Sequence, residues 1–228
     1  MPEKYIRPTY YLDADHPAVA AFASEAAGRS VAERQRAVNL YYAVRDGIRY
    51  NPYAFSTDRQ KFKSSYTLVR GEGFCVQKAI LLASAARAVR IPARLGFANV
   101  RNHLVTERLK ALMGTDLFVF HGYTELLIDG RWVKATPAFN LSLCQKFDTR
   151  PLEFDGTADS IFHPFDNLGR RHMEYVHDYG AFDDFPYEKM IEESRRYYPA
   201  WFEAGAMKVD DIGGDFEKER EMDCRRKL

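Results

Sequence analysis

The hydrophobic pattern divides the chain into a helical first half and a strand-bearing second half. Residues 4–13 have an extended texture, with Tyr5, Ile6, Tyr10 and Tyr11. Residues 17–28 are alanine-rich and end at Gly28, which predicts a first helix. Ser30 and Glu33 have the spacing of a capping box, in which each side chain satisfies the other's free backbone donor. They predict a helix running to about Asp46 and stopped by Gly47, with Val31, Val38, Tyr41, Tyr42 and Val44 near one face. Residues 48–73 read as irregular. From Cys75 to about Val89 the chain is apolar nearly all round, so a helix there belongs in the centre of the fold. Ile91-Pro92 ends it, because the residue before proline disfavours the helical region.

Beyond Pro92 the texture changes. Strands are expected over 93–100, 118–128 and 131–136, the last two flanking the two-residue hairpin signal Asp129-Gly130. Residues 145–186 read as a long ordered loop region with short strands. Residues 187–205 read as a helix, and 208–228 as a solvated helix or loose tail. Helices followed by strands predict an α+β fold with an antiparallel sheet.

Composition narrows the partners. Thirty-three basic residues against 32 acidic ones leave a net charge of +1 over 228 residues. Neither a nucleic-acid backbone nor an anionic membrane is expected as partner on that balance. The three cysteines, Cys75, Cys144 and Cys224, form no CxxC pair and no even framework, which fits a reducing, cytoplasmic setting. The opening MPEKYIRPTYYLDADH carries no apolar run of a signal peptide. The apolar stretch 79–89 is too short to span a bilayer.

The candidate chemistry starts in Arg70-Gly71-Glu72-Gly73-Phe74-Cys75-Val76-Gln77. A thiol at a helix head lies against the positive end of the helix dipole and near unpaired backbone N–H groups. Both favour the thiolate nucleophile, and the same N–H groups can stabilise an oxyanion. A lone cysteine is more often a small core residue, so a partner base decides the matter. His121 is the candidate, on a strand face with Tyr123, Glu125 and Leu127. An imidazole there can orient a thiolate as imidazolium and then protonate a leaving amine.

GEGFC, then RAVRIPARLGFANV, then HGYTELLIDGRWVKATP resembles the transglutaminase-like superfamily of papain-like thiol enzymes, over about residues 67–140. The resemblance implies a papain-like, transglutaminase-core fold, with a central helix packed on an antiparallel sheet. It implies one domain over 1–228, with its core at about 30–145 and a loop-rich and helical C-terminal extension at 146–228. It also implies Cys75 as nucleophile, His121 as its base and no cofactor or metal. The expected activity is acyl transfer on an amide or ester bond, as a cysteine protease, amidase or transglutaminase-like enzyme, with a peptide, protein or small amide as substrate. A non-catalytic peptide- or protein-binding member of the same fold is the alternative.

The chain departs from the family at the third position, with Thr136-Pro137 where Asp-Pro is usual. With a two-residue turn at 129–130, His121 faces Ala138, and Thr136 and Asn140 are its diagonal neighbours. Thr136 holds the family position. Asn140 is the better chemical replacement, because an amide oxygen can accept the imidazole N–H. Asn51, Tyr66 and Gln77 are candidate oxyanion donors that spacing does not separate. His16, His103, His163, His172 and His177 read as structural or solvated. His172 and His177 lie near Glu174 and Asp178, but their spacing matches no common zinc pattern. Tyr41, Tyr42, Tyr50 and Tyr53 read as packing residues.

Overall fold

The apolar run after Cys75 becomes the axis of the molecule. The computed structural model describes residues 3–102, 105–162, 173–202 and 214–219. The first half contains α1 (Pro17–Ala27), α2 (Glu33–Gly47), β1 (Arg49–Tyr50), α3 (Ser64–Arg70), β2 (Glu72–Gly73) and α4 (Cys75–Ala88). The second half contains β3 (Ala93–Asn102), α5 (Glu107–Met113), β4 (Leu117–Ile128), β5 (Arg131–Ala135), α6 (Leu141–Phe147), β6 (Met173–Phe182) and α7 (Tyr187–Tyr197). Helices α1, α2 and α3 pack around α4, whose other side lies on β4.

Every residue of α4 from Cys75 to Arg87 is buried. Its two internal cations are satisfied by carbonyls. Lys78 Nζ donates to Arg45 O at 2.9 Å and Ile48 O at 2.5 Å, closing the C-terminal end of α2. Arg87 donates to the carbonyls of Ala93, Arg7 and Asp183, which ties the other end of α4 to the first residues and to the turn after β6.

The sheet has the order β5-β4-β3-β6 and is antiparallel throughout. The fold is therefore the α+β arrangement that the pattern predicts, with a two-residue parallel pair, β1 with β2, added to it. The β4–β5 hairpin turns at Asp129 (φ 50°) and Gly130 (φ 78°), the left-handed pair that a two-residue turn needs. Its register runs from Ile128 opposite Arg131 to Thr124 opposite Ala135, as that turn dictates.

Several local expectations are corrected. Ser30 and Glu33 do not form a capping box. The Ser30 hydroxyl accepts the N–H of Ala32 at 3.3 Å in a local turn, and α2 begins after Ala32 with no side-chain cap. Residues 4–13 begin in a 3-10 turn, Glu3–Tyr5. The polar stretch 64–70 is helical because its cap comes from afar. Asp13 accepts from the Ser65 N–H at 3.1 Å and from both serine hydroxyls, Ser64 and Ser65. Strand β6 lacks alternation because it is a sheet edge with two register shifts, and most of its residues face solvent. Residues 214–219 are not a solvated tail. Phe216 packs on Tyr50 and Phe147, and the Glu217 carboxylate meets Lys146 at 3.0 Å. Among the described residues, no helix is long and apolar enough to cross a membrane.

Candidate active site

The head of α4 is fixed from both sides. Gln77 Oε1 reaches back to accept the Phe74 N–H at 3.1 Å, and its amide donates to Lys61 O at 2.8 Å. That accounts for Gln77 as a capping and anchoring residue. The backbone N–H groups of Gly122 on β4, Val76 and Cys75 lie near Cys75 Sγ and favour its charged form.

Strand β4 is distorted where it meets that head. Phe120 sits at φ 60°, a region that bulky residues rarely occupy, and its N–H is held by Asn99 Oδ1 at 3.0 Å. The β3–β4 register slips at the same place, between Ala98 and Val100. Backbone strain of this kind is sustained only where surrounding structure enforces it, and it gathers at functional sites. The strand then runs so close to α4 that a Cβ on Gly122 would lie 2.9 Å from Val76 Cα. Only glycine permits that approach. One step further, the Thr124 hydroxyl donates to Ala79 O at 2.8 Å and locks strand to helix.

A cavity of about 40 Å³ opens beside the sulfur. Tyr50 and Phe74 flank Cys75, Phe118 and Phe120 come from β4, and Leu109, Met113, Met190, Tyr198 and Trp201 close it from α5, α7 and the turn after α7. The cover is pinned. Tyr198 Oη accepts the Val119 N–H at 2.7 Å and donates to Leu117 O at 2.8 Å, and Trp201 Nε1 donates to Leu112 O at 2.8 Å.

The electrostatics reverse the sequence expectation of a thiolate–imidazolium pair. Burial pushes the Cys75 thiol up from 9.0 to about 11, and the N–H groups of Gly122, Val76 and Cys75 offset only part of that. Burial also pulls His121 down from 6.5 to about 3. Taking either charge out of water outweighs what the helix head supplies. Both groups are therefore neutral at rest. Alkylation by iodoacetamide should follow. At pH 8 the thiolate fraction of Cys75 falls about a hundredfold below that of an ordinary thiol, and higher intrinsic nucleophilicity restores about tenfold. We expect Cys75 to react at least about tenfold more slowly than an ordinary thiol, with the rate climbing toward pH 11. A plateau below pH 8 would contradict this.

The sequence profile of the transglutaminase-like superfamily matches residues 20–137, more than half of the chain. The chain belongs to the transglutaminase-like superfamily. No curated protein sequence matches it. Among solved structures, a candidate cysteine protease from Cytophaga hutchinsonii is similar at 16% identity and a TM-score of 0.46, over 78% of this chain and 53% of that one. A candidate protease from Parabacteroides distasonis is similar at 15% identity and a TM-score of 0.38, over 61% of this chain and 26% of that one. The chain thus spans about half the length of the first and a quarter of the second.

Measured against the superfamily pattern, the structure separates the expected residues. Cys75 lies against the His121–Gly122 peptide, while the His121 ring packs on Phe162, 4.9 Å between centroids, and does not line the cavity. Among the described residues, neither His121 Nε2 nor Thr136 Oγ1, both buried, has a hydrogen-bond partner. Asn140 is used elsewhere. Its Oδ1 accepts the Tyr50 N–H at 2.9 Å, and its amide nitrogen donates to Glu217 at 2.9 Å and Ser142 at 2.7 Å. It positions Tyr50 at the cavity wall. Asn51 Oδ1 accepts the Tyr53 N–H at 3.1 Å, and Tyr66 borders a different hollow, with Arg70 and Glu72.

Sequence reasoning missed Tyr50 and the Gly122 N–H. The first looks like any core aromatic, and a backbone donor leaves no side-chain signal. His16 Nδ1 accepts the Ala18 N–H at 3.3 Å at the head of α1. His177 packs its ring edge-on against Tyr179. Among the described residues no group of His, Cys, Asp and Glu has the arrangement of a metal site. His103, His163, His172 and Cys224 lie outside the described residues. Cys144 is buried in α6, and burial raises its thiol.

Proposed function

We propose that the protein is a cysteine-dependent acyl-transfer enzyme acting on an amide or ester bond, with Cys75 as nucleophile and His121 as base. The observation that carries this is a cysteine at the head of the buried helix α4 that lines a cavity, with the backbone N–H groups of Gly122, Val76 and Cys75 near its sulfur. Such donors serve the oxyanion of a tetrahedral intermediate.

His121 is assigned the role because it precedes Gly122, whose backbone N–H is near the sulfur. For Nε2 to meet the thiol, the ring has to leave its packing on Phe162. Among the described residues Nε2 has no hydrogen-bond partner to surrender, and an unpaired buried acceptor is itself destabilising by about 1–3 kcal/mol.

Because both groups rest neutral, the proton moves as the bond forms. Sγ attacks the carbonyl carbon and its proton passes to Nε2. The oxyanion collapses, the amine or alcohol leaves with the proton from the imidazolium, and a thioester remains on Cys75. Water or an amine then attacks the thioester, giving its proton to His121, and the thiol is regenerated. Thr136 stands at the family position with a hydroxyl in place of the carboxylate, and among the described residues that hydroxyl has no hydrogen-bond partner. A hydroxyl stabilises the imidazolium less than a carboxylate does, so turnover is slow.

Incubation with p-nitrophenyl acetate should give an acetyl adduct mapped by mass spectrometry to Cys75. Cys75→Ser should lower turnover by at least about 10³ with the fold intact. The missing carboxylate and the neutral pair favour a second reading, a non-catalytic peptide-binding member of the superfamily. It predicts no adduct, and binding that survives Cys75→Ala.

A further inference from the structure

Taking Cys75 as the nucleophile, we infer that the cavity at its sulfur is the acyl pocket and that it selects a short, uncharged, apolar acyl group of about two to four carbons. Three observations carry this. Cys75 lines the cavity, so a group that fills it lies beside the nucleophile, where the acyl part of a thioester sits. Among the described residues no lining side chain carries a charge, and the walls are Phe55, Phe74, Leu109, Met113, Phe120 and Met190 among others. A charged acyl group would enter without a counter-ion and lose its hydration.

Size sets the upper limit. The space is about 40 Å³. One water needs about 10–15 Å³ in the same measure, so about three such spheres fit, the bulk of a short aliphatic chain. A longer chain has to displace α5 or α7. Those elements are held by the Tyr198 and Trp201 hydrogen bonds to the backbone around Leu112–Val119. The polar part of the substrate, the leaving amine or alcohol, then points away from this pocket.

The test is a panel of p-nitrophenyl esters: acetate, butyrate, octanoate and the negatively charged hemisuccinate. The readout is the rate of adduct formation at Cys75, mapped by mass spectrometry. A methylene that fits or fails to fit a hydrophobic pocket changes such rates by about 10- to 200-fold. Acetate and butyrate should therefore acylate at least about tenfold faster than octanoate or hemisuccinate. Met190→Ala and, separately, Met113→Ala remove bulk from the α7 and α5 linings. At least one of them, shown folded by circular dichroism, should shift the optimum toward octanoate. Acylation of Cys75 at equal rates by all four esters overturns the pocket and leaves the nucleophile standing, as does an optimum that neither folded variant moves. No adduct with any ester overturns both.

Discussion

Lowering the pH from 7.5 to 4 should remove about 3 kcal/mol of folding stability through His121 alone. The imidazole is held neutral in the fold, with its pKa pulled from 6.5 down to about 3 by burial. The unfolded chain takes up a proton near pH 6.5. Between 6.5 and 3 the unfolded state therefore binds more protons than the folded one, and stability falls as the pH falls. The contribution is fully present above pH 6.5 and fully lost below about pH 3. Each pH unit in that window is worth about 1.4 kcal/mol. Urea unfolding of the protein and of His121→Gln at pH 7.5 and pH 4 checks it. The variant should lose about 3 kcal/mol less than the parent over that interval. Equal losses would mean that the ring is charged or solvated in the fold. It would then be an imidazolium already poised beside the sulfur, and the order of proton transfer proposed above would be wrong.

That result bears on why the sequence misjudged the pair. The identities of Cys75 and His121 are legible because each sits in a patterned context, one at the head of an apolar helix and the other in a strand before Asp129-Gly130. Their charge states are not, because charge depends on how much water the rest of the fold removes. His121 packs on Phe162, and around Cys75 the elements that remove water are α5, α7 and the turn at Pro199–Trp201. Two of these lie after residue 180, in a part of the chain with no motif.

The same division runs through the fold. Helix α4 and the β4–β5 hairpin follow from local signals, an apolar run ended by Ile91-Pro92 and a two-residue left-handed turn. The register came with the turn. Helix α3 and strand β6 escape the pattern because their support is remote. The first is capped by Asp13 from the N-terminal segment, and the second is an exposed edge whose side chains face solvent. Asn140 shows the limit most clearly. Extending the register past Pro137 puts it beside His121, yet the ladder ends at Ala135 and the amide turns to Tyr50 and Glu217. A proline that cannot donate to the ladder releases the chain one residue after Thr136.

Replacing Gly122 by alanine should damage both stability and chemistry, because this residue is where strand and nucleophile helix touch. The added Cβ meets the Cα of Val76 at 2.9 Å, a backbone atom of α4 that cannot swing aside as a side chain can. Strand and helix must separate. Overpacking of this kind costs about 1–3 kcal/mol. Separation also withdraws the Gly122 N–H from the sulfur, and loss of one oxyanion donor lowers turnover by about 10²–10³. Gly47→Ala is the control. It sits at the end of α2 with nothing within 4 Å of its Cβ position, and should be neutral or stabilising by up to about 1 kcal/mol. Thermal melts and acetyl-adduct rates on both variants separate the two effects. If Gly122→Ala melts with the parent and acylates at the parent's rate, the close contact of β4 with the head of α4 is not what positions Cys75.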